Sequence, residues 1–308
     1  MKTSVIIPIF HGEGYLPDLL QAIDGQDLED IEVLVVETAP EGACQKVAED
    51  HGARWMAIDA EAFDHAGTRT MAAREAQGEV LIFLSQDVLP TAPNTFRILV
   101  ERLLQHQDQG AAFGRQVAPK DSPIWGAIKR GFIYRDESRV RRPSDRDRLG
   151  FHATFLSNAF AAYRREALEV FDFFGERALM CEDIAAGAHL LLAGWSIAYV
   201  AEAVVSHDHP TAIGIESRRY FDIGASHRHQ RWIQELFGPP RPEGTRFFGY
   251  GVRHLWKQRR PHLLPIFATR SLVKLIAYRL GRIHPWLPRR LNARLSGFPA
   301  WWLRNSAP

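Results

Sequence analysis

In Ser4-Val5-Ile6-Ile7-Pro8 every residue after Ser4 is apolar, and Ile9-Phe10 extends the run before the chain turns polar at His11. A strand wetted on one face alternates apolar and polar residues; an unbroken run reads as a strand covered on both faces. The segments that follow fit that reading. Residues 15–23 place Tyr15, Leu16, Leu19, Leu20 and Ile23 at helical spacing, and residues 31–36 form a second apolar run. Residues 44–51 read as a helix, 55–58 as a strand, 68–75 as a helix, 80–84 as a strand and 96–104 as a helix. Most Gly and Pro fall between these segments. The alternation predicts parallel βαβ units, an α/β fold with helices on both faces of a mostly parallel sheet. Such sheets bind ligands at the carboxyl ends of their strands. Here those ends carry Pro8-Ile9-Phe10, Glu37-Thr38 and Ser85-Gln86-Asp87.

Further along, residues 120–150 are charged and read as loop, and 159–163 as a strand. A helix over 182–192 and strands over 197–200 and 203–206 follow. From Ile215 onward the pattern is helical and basic, with no further strand. The 308 residues suffice for one large domain or two lobes, and a net charge of +2 gives no case for a nucleic-acid partner. Two cysteines, Cys44 and Cys181, stand far apart, which fits a reducing compartment and excludes a disulfide scaffold. No run approaches the roughly 18 apolar residues of a membrane span, and the start lacks the pattern of a secretory signal. A cytoplasmic location is the expectation.

Four motifs carry chemistry, each beside a plainer structural reading. Asp87 follows the strand over 80–84, where a carboxylate suits either a divalent cation on a diphosphate or a turn. Residues 63–70, with Gly67 and Arg69, suit an anion at a helix start or simply a capped helix. Glu182 and Asp183 open an amphipathic helix; acids there complement the helix dipole, and one could act as a general base. His207 and His209 follow an apolar strand at i and i+2, a spacing open to metal ligation and equally to surface histidines.

Together and in this order, these stretches resemble the family 2 glycosyltransferases of the GT-A fold, most of all the bacterial rhamnosyltransferase branch that builds O-antigens and exopolysaccharides. The resemblance spans roughly residues 1–210. It implies an inverting transfer, with L-rhamnose from dTDP-rhamnose the best guess, to a glycan or polyprenol-linked acceptor. Under it Pro8 and Phe10 line the nucleobase pocket, Glu37 takes the place of a base-binding Asp, and Arg69 meets the donor. Gln86 and Asp87 stand at the family's DxD-type motif. Asp87 and His207 then hold a divalent cation, Mg2+ or Mn2+, with His209 a weaker claimant. Asn158 and Glu182 meet the acceptor and Asp183 is the catalytic base. Two positions depart from the family: Gln86 is neutral where an acid is common, and Glu37 is longer than the usual Asp.

The expected division is a nucleotide-sugar-binding half over 1–115, an acceptor-binding and catalytic half over 116–212, and a helical basic region over 213–308. In that last region Arg and Lys interleave with Trp and Leu, a composition that suits a helix at a membrane interface and equally one packed on the core. The membrane alternative makes the protein peripheral at the inner face of a bacterial cytoplasmic membrane. Two other functions compete. One is a catalytically silent nucleotide-sugar-binding module, against which Asp87, Asp183 and His207 together argue. The other is a nucleotidyltransferase, which predicts a glycine-rich loop with a basic residue after the first strand; the sequence there is His11-Gly12-Glu13-Gly14.

Overall fold

The computed structural model of the protein describes residues 1–40, 43–207, 212–240 and 243–304, so His209 lies outside the described residues. Strand β1 (Thr3–Phe10) sits between β2 (Ile31–Thr38) and β4 (Val80–Leu84), parallel to both. Its side chains alternate between two apolar cores. Val5, Ile7 and Ile9 meet α1 (Leu16–Asp24) and α2 (Ala43–Asp50), while Ile6 faces α3 (His65–Glu75). Burial on both faces is why the run has no polar alternation.

One mixed nine-stranded sheet is present among the described residues, with β3 (Arg54–Ile58) at one edge. Beyond β4 the order continues through β8 (Phe160–Arg164), β6 (Gln109–Val117), β9 (Ser196–His207) and β5 (Val88–Pro90). Strand β7 (Arg139–Arg141) pairs with β9. Helix α4 (Thr95–Leu104) covers the first core, and α8 (Glu182–Leu192) covers the second.

The structure differs from the sequence reading in three places. Residues 120–150 are not loop, because they hold α5 (Ile124–Ile133), β7 and the short α6 (Arg146–Leu149). Residues 197–200 and 203–206 belong to the single strand β9, whose register against β6 shifts between Gly114 and Arg115. Strand β6 itself went unread, since its glycines weaken a strand pattern. Gly114 is nonetheless required: a Cβ there would lie 2.3 Å from Phe160 and 2.5 Å from the carbonyl oxygen of Ala203.

After the short α7 (Arg165–Glu169) and β9, the chain is helical, as expected. It forms α9 (Ile213–His229), α10 (Arg231–Phe237), α11 (Gly244–Lys257), α12 (Leu264–Arg282), α13 (Arg289–Leu295) and α14 (Pro299–Arg304). These helices return to the sheet domain. The Phe298 ring lies 4.8 Å from that of His65, and Arg304 donates to the carbonyl of Ala60 at 2.7 Å.

Helices α9 and α12 cross at two glycines. A Cβ on Gly281 would meet the Phe221 carbonyl oxygen at 2.0 Å, and one on Gly224 the Tyr278 oxygen at 2.1 Å. Backbone cannot yield as a flexible side chain does, so Gly281→Ala forces the helices apart and costs about 1–3 kcal/mol. A thermal melt should show Tm several degrees lower for Gly281→Ala and unchanged for Gly14→Ala, where nothing lies within 4 Å of the new methyl.

Candidate active site

Helix α8 begins after a left-handed turn at Cys181 (φ 64°), and its first two residues are the acids Glu182 and Asp183. Their surroundings differ. The Glu182 carboxylate lies 3.3 Å from Nε of Arg69 and accepts a 3.1 Å hydrogen bond from the Asn158 amide. Burial would raise its pKa, but Arg69, His65 and that hydrogen bond outweigh burial and hold it below the usual carboxylate range. Asp183 accepts from the backbone N–H groups of Ile184 at 2.8 Å and Asn158 at 3.3 Å. Burial and the adjacent Glu182 charge raise Asp183 from 3.8 to about 7. One acid is thus a fixed anion and its neighbour a group able to take a proton near neutral pH.

Asp87 and His207 are brought together from the loop after β4 and the end of β9. Their Oδ2 and Nε2 atoms are 3.2 Å apart. Nδ1 of His207 lies 2.7 Å from Oε1 of Gln116, whose Nε2 donates to Ser157 at 2.9 Å. The Gln116 amide orientation therefore makes Nδ1 a donor and leaves Nε2 facing the Asp87 carboxylate, donating to it in the imidazolium and able to ligate a cation in the neutral ring. This is the usual arrangement of a metal-ligating histidine, oriented by a second partner on its other nitrogen. Two ligand atoms about 2.1 Å from a small cation and roughly at right angles stand about 3 Å apart, so the pair fits such an ion.

The remaining predicted residues are placed as follows. Gln86 forms a two-point amide pairing with the Phe10 main chain, receiving from its N–H at 2.7 Å and donating to its carbonyl at 3.1 Å. Its neutral amide thus ties the tip of β1 to the loop carrying Asp87, a task a carboxylate could not perform in both directions. The Phe10 ring is exposed and Pro8 is half-buried. Glu37 is buried at the end of β2 and accepts from the Trp55 indole at 2.8 Å. With Glu13 and Cys44 it forms a cluster of possible ligand atoms, and burial and Glu37 push the Cys44 thiol up to about 12. Arg69 is buried and held by Glu182 and by the His65 carbonyl at 3.0 Å. The start of α3 is a capped one: Asp64 accepts from Ala66 at 3.0 Å and Gly67 at 2.8 Å, occupying the N–H groups an anion would need. Next to it a cavity of about 380 Å³ is bounded by Ile58, Phe63, Thr68 and, from α14, Trp301 and Arg304.

Asn158 has both amide atoms engaged, donating to Glu182 and receiving from the Tyr163 hydroxyl at 2.6 Å. Sequence reasoning missed Gln116, Ser157 and Tyr163. Asp87, His207, Gln116 and Ser157 are hydrogen-bonded in turn as a polar string, and the next residue, Asn158, meets Asp183 through its backbone N–H and the Tyr163 hydroxyl through its side chain. For the three missed residues the only sequence signal is a polar residue pair, Ser157-Asn158, directly ahead of an apolar strand.

Comparison with known proteins agrees with this architecture. Residues 4–171 match the family described as Glycosyl transferase family 2. The chain is 32% identical over 304 residues to the O-antigen chain rhamnosyltransferase RfbN of Salmonella typhimurium, covering 98% of this chain and 96% of that protein. It is 29% identical over 301 residues to the O-antigen chain rhamnosyltransferase WbaN of Salmonella anatum, covering 97% and 95%. Among solved structures, the mannosyltransferase PcManGT from Pyrobaculum calidifontis, in complex with GDP-Man and Mn2+, superposes with a TM-score of 0.57 at 19% identity, over 99% of this chain and 86% of that one. S. aureus TarS 1–349 does so with a TM-score of 0.56 at 17% identity, over 99% and 89%. The fold is GT-A.

The raised proton affinity of Asp183 has a thermodynamic signature. The native state keeps this proton where the unfolded chain has already lost it, so stability falls as pH rises from about 4 to about 7 and levels off above. Asp183→Asn removes that component. Urea unfolding at pH 5 and pH 8 should show the variant gaining about 1–3 kcal/mol on the wild type between the two. A difference independent of pH would contradict the assignment.

Proposed function

The chain belongs to glycosyl transferase family 2, and from that premise we propose that it performs an inverting transfer with Asp183 as base and Asp87 and His207 as ligands of a divalent cation. The enzyme is a glycosyltransferase by family. The best-supported donor is dTDP-L-rhamnose, because both curated relatives are rhamnosyltransferases matched over nearly their whole length. The acceptor is a glycan, free or lipid-linked.

The observation that carries the mechanism is the unequal acid pair. In the transfer, Asp183 takes the proton of the acceptor hydroxyl as its oxygen bonds to the anomeric carbon. The bond from that carbon to the diphosphate breaks, and the nucleoside diphosphate leaves. A base with a proton affinity near ambient pH is both available and strong enough to act. Glu182 remains an anion on Arg69 and, with Asn158, fixes the start of α8 beside the proposed acceptor site. Asp87 and His207 would hold a divalent cation, Mg2+ or Mn2+, which would supply charge neutralisation to the departing diphosphate. Gln116 and Ser157 hold His207 in the tautomer that ligation requires. Pro8, Phe10 and Glu37 remain the proposed nucleobase side of the cleft, and Gln86 sets the spacing between that side and Asp87. Both ends of the polar string fit a reacting centre better than a silent binding module.

The C-terminal helices support a peripheral membrane location. After Glu243 the sequence holds thirteen Lys and Arg and no acid. On α12, Leu272, Leu275 and Ile276 are each about half exposed, and Trp286 just beyond is 70% exposed. Among the described residues no helix is long and apolar enough to cross a membrane. A basic apolar face of this kind binds anionic lipid surfaces.

With a dTDP-rhamnose donor, Asp183→Asn should lower kcat by about 10²–10⁴-fold while donor binding stays within a few-fold. Asp87→Ala should abolish the response to added Mg2+ or Mn2+. Full transfer in EDTA-treated wild type would overturn the metal assignment, and near wild-type turnover in Asp183→Asn would overturn that of the base.

A further inference from the structure

The ion pair that keeps Glu182 an anion is itself held by contacts that begin near the C-terminus. Arg69 meets Glu182 through Nε at 3.3 Å. Its Nη1 donates to the His65 carbonyl, one turn earlier on α3, at 3.0 Å and lies 3.4 Å from Nδ1 of the His65 ring. A guanidinium only donates, so Nδ1 is the lone-pair nitrogen and the ring carries its proton on Nε2. Burial, opposed by Glu182 and assisted by Arg69, pushes His65 down to about 4, with Arg219 and Asp64 adding smaller opposing effects. The ring is therefore neutral at ordinary pH and keeps its acceptor.

Two further rings grip it. Phe63 meets the His65 ring edge-on with centroids 5.2 Å apart, Phe298 does so at 4.8 Å, and Phe63 and Phe298 stack on each other at 6.3 Å. Phe298 comes from the turn between α13 and α14. That turn is anchored by the Gly297 N–H, which donates to Oδ2 of the buried Asp222 on α9 at 2.8 Å, and by the Phe298 N–H, which donates to the Ser296 hydroxyl at 2.9 Å. A histidine in the first turn of a helix is otherwise free to rotate toward water; this packing removes that freedom.

We propose that His65 and Phe298 are positioning residues for the transfer: Phe298 fixes the His65 ring, the ring and its carbonyl fix Arg69, and Arg69 thereby stays on Glu182 beside the base. This rests on the reading of Asp183 as base and deepens it by making the C-terminal turn part of what sets the cleft. The groups around Asp183 are Glu182, Arg69, the hydroxyls of Tyr134 and Tyr163 and the thiol of Cys181; burial raises the last three, which stay neutral. Arg69 is the cation among them, so loosening it makes the last proton of the acid pair harder to remove.

The experiment reads Asp183 without donor or acceptor, by a carbon-13 NMR titration of the aspartate carboxyls in the full-length protein; the Asp183 signal is the one missing from Asp183→Asn. Its midpoint, about 7 in the wild type, should rise by about 0.5–1 unit in Phe298→Leu and in His65→Ala, and return to the wild-type value in Phe298→Tyr. Leucine keeps the apolar volume, so the variant folds, as a melting curve verifies. Lost stability alone leaves the midpoint of the folded protein where it was. Unmoved midpoints in both variants would overturn the proposal, and so would a rise in His65→Ala alone, which would leave Phe298 a packing residue. A wild-type midpoint in the ordinary carboxylate range would strike the base assignment and this inference with it, whereas a midpoint near 7 that neither variant moves strikes this inference alone.

Discussion

The buried ion pair between Arg69 and Glu182 sets the character of the cleft. Two adjacent carboxylates at one helix start cannot both ionise cheaply in a buried site. Arg69 resolves the conflict by stabilising one charge, so the other acid, Asp183, carries the raised proton affinity. That solution demands a fixed geometry. Arg69 comes from α3 and the acids from α8, so the two helices must stay in register on the same face of the sheet, packed on its shared core. Gly187 lets α8 approach closely, since a Cβ there would lie 2.1 Å from the Thr154 carbonyl oxygen.

A polar string through the sheet's carboxyl edge joins the two ends of the cleft. Asp87, His207, Gln116, Ser157, Asn158 and Asp183 come from five separate segments, joined by hydrogen bonds except at Ser157-Asn158, where the chain itself links them. In the proposed mechanism this couples the groups that stabilise the leaving diphosphate to the group that activates the acceptor. Reacting centres gain most from such preorganisation, because the donors and acceptors need not reorganise as charge develops. The C-terminal helices complete the arrangement by covering the start of α3.

Much of the fold was legible because burial writes itself into apolar patterns. The β1 run and the Glu182 helix read correctly because each has a wholly or largely apolar core face. Strand β6 was not legible, since Gly110 and Gly114 leave room for neighbouring rings and so erase the pattern. Residues 120–150 read as loop because Lys129 and Arg130 look like solvent charges, whereas Arg130 is in fact buried. In the site, resemblance singled out Asp87, Asp183 and His207; the structure places Asp87 against His207 and Asp183 beside Glu182 at the start of α8. Gln116 and Ser157 carried no signal, being single polar residues with no period. The burial of Asn158, Glu182 and Arg69 among one another was likewise invisible, because a sequence shows an ion pair only where spacing forces it.

The central claim is electrostatic: Glu182, held ionised by Arg69, raises the proton affinity of Asp183. It is tested most directly by the pH dependence of kcat for the wild type and Glu182→Gln. Removing the neighbouring negative charge makes Asp183 easier to ionise, and the uncompensated Arg69 acts in the same direction. The ascending limb, near pH 7 in the wild type, should therefore move to lower pH by about one unit in Glu182→Gln. An ascending limb at the same pH in both proteins would contradict the account.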